Sequence, residues 1–153
     1  MRAVLQRVSR AAVTVDGQTL GAIGQGLVVL VGIGMDDGAE DGAYICDKTL
    51  NLRLFADGER SMERSALEAN AALLVISQFT LYASTRRGRR PSFTDAAAPT
   101  DAEPRFNAVL ARLRASGLRV ETGRFGAMMA VELVNDGPVT IALDSADRLT
   151  PRR

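Results

Sequence analysis

From Ala3 to Val15 the chain alternates apolar and polar positions and is rich in valine, the period of a half-buried strand. Asp16-Gly17 then turns it back into a second strand over Thr19–Ile23. Gly24-Gln25-Gly26 is another turn, after which Leu27–Val31 is unbroken apolar sequence, as expected of a strand buried on both faces. The period becomes helical from about Ala39 to Leu52, with Ala43, Cys46 and Leu50 inward and Asp36 or Asp37 as the cap. Asp57-Gly58 predicts a turn, and Ala71–Thr80 a second doubly buried strand. Ala83–Pro99 is polar and rich in Arg, Ser, Pro and Ala, a long surface loop of the kind that often carries function in a compact domain. Thr100-Asp101-Ala102-Glu103 has the spacing of a capping box, opening a helix with Phe106, Val109, Leu110 and Leu113 on one face and Gly117 at its end. Val120–Thr122 and Met128–Val134 read as strands, and Val139–Leu143 as a last one beyond a break at Gly137-Pro138.

These elements sum to an α/β chain: a single strand-rich domain, 1–143, in which a curled sheet or partial barrel carries two packed helices, and a polar tail, 144–153, expected to fray. A chain that is 46% hydrophobic is too apolar for disorder to be the default. No apolar run approaches the ~18–20 residues that span a bilayer. The opening Met1–Arg7 alternates and lacks the apolar core of a signal peptide, so the expectation is a cytoplasmic protein with no membrane partner.

Two scarcities narrow the chemistry. With no histidine there is no Ser-His-Asp arrangement, no His general base and no common zinc site. The single cysteine, Cys46, rules out an internal disulfide or a Cys-x-x-Cys centre, and its helical setting suits a small core residue. Gly32-Ile33-Gly34-Met35-Asp36-Asp37-Gly38 follows a strand and precedes a helix as a dinucleotide fingerprint would. Its third glycine comes one residue late, however, and two aspartates would face the pyrophosphate, so it reads as a tight turn and no cofactor is expected. What remains is hydroxyls, carboxylates, arginines, backbone dipoles and the substrate's own groups.

Three polar places stand out. Ser77, Gln78 and Thr80 close the second buried strand around Phe79; as a strand, Ser77 and Phe79 would share one face and Gln78 and Thr80 the other. This is either a structural strand end or a site, and Thr80 has no neighbouring base in sequence to take its proton. Arg86-Arg87-Gly88-Arg89-Arg90 concentrates cations in a chain of net charge +1, either as a solvated loop or as a phosphate clamp, with Phe93 anchoring the loop or stacking on a base. At Gly137-Pro138 the proline has no N–H for a ladder, so it sits at an edge, a bulge or a break, and the backbone there is left for another use.

Taken together, Ser77-Gln78-Phe79-Thr80-Leu81, Gly88-x-Arg90-Pro91-Ser92-Phe93, Thr122-Gly123-Arg124-Phe125 and Asn135-Asp136-Gly137-Pro138-Val139-Thr140 resemble the D-aminoacyl-tRNA deacylase family. Leu5-Gln6-Arg7-Val8 with Val13-Thr14-Val15 also fits, and the motifs run in the family's order over residues 1–143. The resemblance implies a homodimeric editing hydrolase, without metal or cofactor, that cleaves the ester between a D-amino acid and the 3′ end of tRNA. Glycine mischarged on tRNA(Ala) would be cleaved as well. It implies that the Gly137-Pro138 bond is cis and reaches into the partner's site as a wall that excludes L side chains, braced by Arg7. Ser77, Gln78, Phe79 and Thr80 would form the catalytic wall, and Phe125 and Met129 the adenosine and aminoacyl pocket. The ribose 2′-OH of the tRNA would assist attack by water. Arg87, Arg89 and Arg90 are the candidate contacts to tRNA phosphates; the loop has more cations than the family motif requires. The rival readings are a non-catalytic, dimeric nucleic-acid-binding protein and a small-ester hydrolase with Thr80 as nucleophile.

Overall fold

Strand β1 (Arg2–Val15) organises the molecule, because strands pair along both of its edges. On one edge its first half meets β3 (Gly26–Gly32) and its second half meets β2 (Gln18–Ile23), both antiparallel. Along the other edge runs β8 (Ala130–Asp144), antiparallel from Arg2 to Thr14. The computed structural model describes residues 1–150; residues 151–153, the end of the expected tail, lie outside the described residues. Beyond β3 the sheet continues in parallel through β6 (Ala72–Ser77) to β7 (Val120–Thr122). There it has curled far enough for β7 to approach β2. Arg119 donates to the Ala22 carbonyl at 2.9 Å, and a Cβ on Gly21 would lie 3.2 Å from the Thr122 carbonyl oxygen. The result is the expected curled, nearly closed sheet.

Parallel neighbours need long crossovers. The first, between β3 and β6, holds helix α1 (Ala39–Asn51) and a small hairpin of β4 (Phe55–Asp57) and β5 (Arg60–Arg64). The second, between β6 and β7, holds a 3₁₀ turn (Phe79–Tyr82), the arginine loop and helix α2 (Pro99–Arg114). The unbroken apolar runs are explained by two cores. Leu27, Val29 and Val31 of β3 with Leu73 and Val75 of β6 pack toward both helices, against Ile45, Phe106 and Leu113. Val28, Leu74 and Ile76 point the other way and meet Val8 and Val13 of β1.

The structure departs from the sequence expectations at five places. Strand β6 stops at Ser77, so Phe79 and Thr80 belong to a 3₁₀ turn and the alternation of faces ends before them. Helix α2 starts at Pro99, because proline at the first helical position fixes φ and gives up only an N–H without an intrahelical partner; Thr100 is inside the helix and caps nothing. In α1 the cap is Gly38, whose N–H reaches Asp41 Oδ2 at 2.8 Å, while Asp37 instead accepts from Gly34 N–H and, at 3.1 Å, from Tyr82 OH. Its buried face is Gly42, Ile45, Cys46 and Thr49, rotated from the Ala43–Cys46–Leu50 line. Thr49 tolerates burial because its hydroxyl donates to the Ile45 carbonyl at 2.8 Å.

The fifth is the tail, which up to Leu149 is a docked 3₁₀ turn (Ser145–Leu149) and not a frayed end. Ser145 is buried and donates to Asp41 Oδ1 at 2.7 Å, and Arg148 pairs with the same carboxylate at 2.9 Å. Burial pushes the Asp41 pKa up, but hydrogen bonds from Gly38 N–H and Ser145, with the nearby cations, outweigh it and leave the group below the usual carboxylate range.

Candidate active site

The end of β6, the β7–β8 connection and the start of α2 converge on a cavity of about 670 Å³. Ser77, Gln78 and Phe79 form one wall, Phe125 to Met129 another, and Ala96 to Pro99 with Ala102 a third, over a floor that includes Val31, Ile33 and Ile76. Phe125 is fixed by Phe106 of α2, ring centroids 6.0 Å apart. Met129 packs directly over Gly123, where a Cβ would sit 2.5 Å from its sulfur and 3.2 Å from Val13 Cγ2. So the structure brings together Ser77, Gln78, Phe79, Phe125 and Met129. Thr80 is not among the lining residues: it is exposed on the 3₁₀ turn, and its hydroxyl is taken by the Gln78 side-chain amide. Phe79 and Thr80 open that turn, so their N–H groups have no carbonyl one turn back to receive them. The Cys46 thiol lies away from the cavity in the helical core, where burial pushes its pKa up to about 11.

Gly137 and Pro138 lie elsewhere. Along β8 the register against β1 passes from Asn135, opposite Val8, to Thr140, opposite Gln6, so the four residues Asp136–Val139 stand against Arg7 alone. Of the edge, bulge or break that Pro138 allows, the structure has the bulge, a wide one inside one continuous strand. The Gly137-Pro138 bond is cis, and both residues are exposed at the tip, outside the cavity of their own chain. Gly137 has φ +125°, and a Cβ on it would lie 3.0 Å from Arg7 Nη2, so no L side chain fits.

Arg7 holds the bulge from beneath. Its Nη1 donates to the carbonyls of Leu54 at 2.7 Å and Ser61 at 3.2 Å, and its Nε donates to the Asp136 carbonyl at 3.2 Å and lies 3.4 Å from Asp136 Oδ2. One guanidinium thus ties the bulge to the β4–β5 hairpin. Asn135 closes the loop from within: its Oδ1 accepts the Val139 N–H at 3.1 Å, and its Nδ2 donates to Thr140 Oγ1 at 3.0 Å. Gln6 adds a bond to the same hydroxyl at 3.3 Å. Sequence reasoning found Arg7 only through resemblance and missed Gln6, Asn135, Asp136 and Thr140. The legible signal was two polar, hydrogen-bonding residues placed one at each end of the Gly-Pro segment.

The arginine loop is exposed, and none of Arg86, Arg87, Arg89 and Arg90 takes part in an ion pair among the described residues. Ser84 and Ser92 exchange backbone hydrogen bonds of 2.7 and 3.0 Å across its base, which brings Phe93 back to the cavity rim.

A family model described as D-Tyr-tRNA(Tyr) deacylase matches residues 4–144. The chain belongs to that family. It is 58% identical over 152 residues to the D-aminoacyl-tRNA deacylase of Roseiflexus sp. (strain RS-1), covering 99% of this chain and 98% of that one. It is also 53% identical over 153 residues to the protein of the same name from Dehalococcoides mccartyi (strain ATCC BAA-2266 / KCTC 15142 / 195), covering 100% of each. A solved structure titled c-Myc DNA Unwinding Element Binding Protein superposes with a TM-score of 0.89 at 40% identity, over 94% of this chain and 98% of that one. Another, titled as a probable eukaryotic D-amino acid tRNA deacylase, superposes with a TM-score of 0.81 at 18% identity over the same shares, and at that identity speaks for the fold alone. The family matches the resemblance carried by the motifs, and both cavity and bulge fall inside the matched residues. No helix among the described residues is long and apolar enough to cross a membrane.

Proposed function

We propose that the chain is an editing hydrolase of the cytoplasm that cleaves D-aminoacyl-tRNA to free D-amino acid and tRNA, and also glycyl-tRNA(Ala), while sparing L-aminoacyl esters. The observation that carries this reading is the separation of two halves of one site: a cavity walled by Ser77, Gln78 and Phe79, and an exposed Gly137-Pro138 bulge that is braced by Arg7 and lies outside that cavity. A second copy of the chain supplies what each half lacks. Strand β8 supports such a homodimer, since among the described residues it pairs with β1 alone and leaves Val134 exposed on the outermost strand.

In the assembled site the terminal adenosine and aminoacyl group lie between Phe125 and Met129. The backbone of Gly137-Pro138 from the partner subunit crowds the position of an L side chain. Exclusion by backbone accepts any D side chain, and glycine, without reading its chemistry. Water attacks the ester carbonyl carbon, with the ribose 2′-OH of the tRNA assisting. The N–H groups at Phe79 and Thr80 meet the developing oxyanion. The carbonyl-to-ribose C–O bond then breaks, and the 3′ oxygen takes the proton and leaves as the free hydroxyl. Holding ester, water and 2′-OH in line supplies catalysis that needs no histidine. The exposed Arg87, Arg89 and Arg90 meet phosphates of the tRNA.

The test is a pair of rates on D-tyrosyl-tRNA and L-tyrosyl-tRNA with purified protein. Loss of the D ester alone supports the reading. Survival of both esters with tRNA still bound supports a non-catalytic nucleic-acid binder, and cleavage of both removes the Gly137-Pro138 filter. A tRNA ending in 2′-deoxyadenosine should resist hydrolysis. Thr80→Ala should keep turnover; near-total loss with intact tRNA binding would make the hydroxyl a nucleophile.

A further inference from the structure

We propose that the Phe79–Phe93 ring pair and the arginine loop form a second nucleotide subsite, which takes the base and phosphate immediately 5′ of the terminal adenosine. The inference rests on the deacylase reading and adds a site to it. Phe79 is 59% exposed, on a turn held in place by backbone hydrogen bonds, so its outward face is offered to a ligand and not turned into the core. Phe93 meets it edge to face, ring centroids 5.1 Å apart at 71°, which fixes the ring's orientation. Both rings sit on the rim of the cavity that receives the adenosine. Phe93 directly follows Ser92, which closes the base of the arginine loop with Ser84, so the ring pair stands at the foot of the exposed loop that carries the four cations.

An exposed aromatic beside unpaired arginines is the composition of a single-strand binding path. The π-face stacks on any base, and the guanidinium forks take the phosphates. The same charge argues against a second copy of the chain as the occupant, because two such loops would repel. Stacking of this kind is worth roughly tenfold per base.

The test compares kcat/KM for D-tyrosyl esters of adenosine, of the dinucleotide CpA and of the trinucleotide CpCpA. Wild type is expected to gain about tenfold from adenosine to CpA and little more at CpCpA. Phe93→Leu should flatten that step, Phe93→Tyr should keep it, and Arg89→Gln with Arg90→Gln should shrink it and weaken its dependence on salt. Equal rates on adenosine and CpA in wild type, or a step that survives Phe93→Leu, overturn the subsite. A change of oligomeric state in Phe93→Leu by light scattering also overturns it, by assigning the rings to a protein interface. If wild type cleaves none of the esters, the deacylase reading fails separately. Titration of uncharged CpA against adenosine then decides the subsite alone, with tighter CpA binding supporting it and equal binding ending it.

Discussion

The cavity wall and the Gly137-Pro138 bulge are both held rigid, by opposite physics. The wall stands on β6, where Leu73, Leu74 and Val75 are fully buried and the backbone is laddered on both sides. Its position follows from packing on two faces, which no single polar group controls. The bulge is exposed and has no core of its own; it is held by the hydrogen bonds of Arg7, Asn135, Thr140 and Gln6. Burial tolerates loss of any one surface contact and answers to volume, whereas a polar clasp tolerates changes in volume and answers to single donors.

Substitutions that separate stability from selectivity will break or sharpen this contrast. Leu74→Ala should have the largest effect on folding, about 2–5 kcal/mol by denaturant titration, with the ratio of D to L cleavage unchanged per folded molecule. Arg7→Ala should do the reverse: about 1–3 kcal/mol of stability from orphaned carbonyls, but at least a tenfold fall in that ratio. Arg7→Lys should not restore it, because one ammonium cannot span Leu54, Ser61 and Asp136 together. Asn135→Ala removes two bonds and should cost about 1 kcal/mol with a smaller loss of selectivity, measured in the same two assays. An equal selectivity loss from Leu74→Ala and Arg7→Ala would collapse the distinction.

The smallest expected effect lies at the tail. Asp41 has a lowered folded pKa, so its share of stability is complete above its ordinary value of 3.8 and is lost as pH falls through the lower folded value. Asp41→Asn should flatten the acid limb of a pH–stability curve in that window.

Sequence periodicity revealed the elements that burial determines. Leu27–Val31 and Phe106–Leu113 announce their packing because a strand or helix between apolar layers must carry apolar residues. The 3₁₀ turn at Phe79 escaped because one short turn after a strand has no period of its own. The start of α2 was misplaced because Thr100 and Glu103 have the right spacing while Pro99 already fixes the first turn. The clasp of Asn135 was invisible because partners such as Gln6 and Arg7 are distant in sequence and only the β1–β8 register brings them together. The ring pair was half legible: Phe93 stood beside the arginines, but its contact with Phe79 is made by the fold.

The pairing of β8 with β1 also sets an order of assembly. Side-chain contacts between the two strands join residues 122 and 142 apart, so closing them is among the slowest steps a chain of this topology takes. On a ribosome the cavity wall of β6 can be laid against β3 while β8 is still unmade. The bulge, which is carried on β8 and braced by Arg7 of β1, is then made after both crossovers. A nascent chain therefore has its pocket wall before it has the Gly137-Pro138 bulge, and the bulge arrives only with β8.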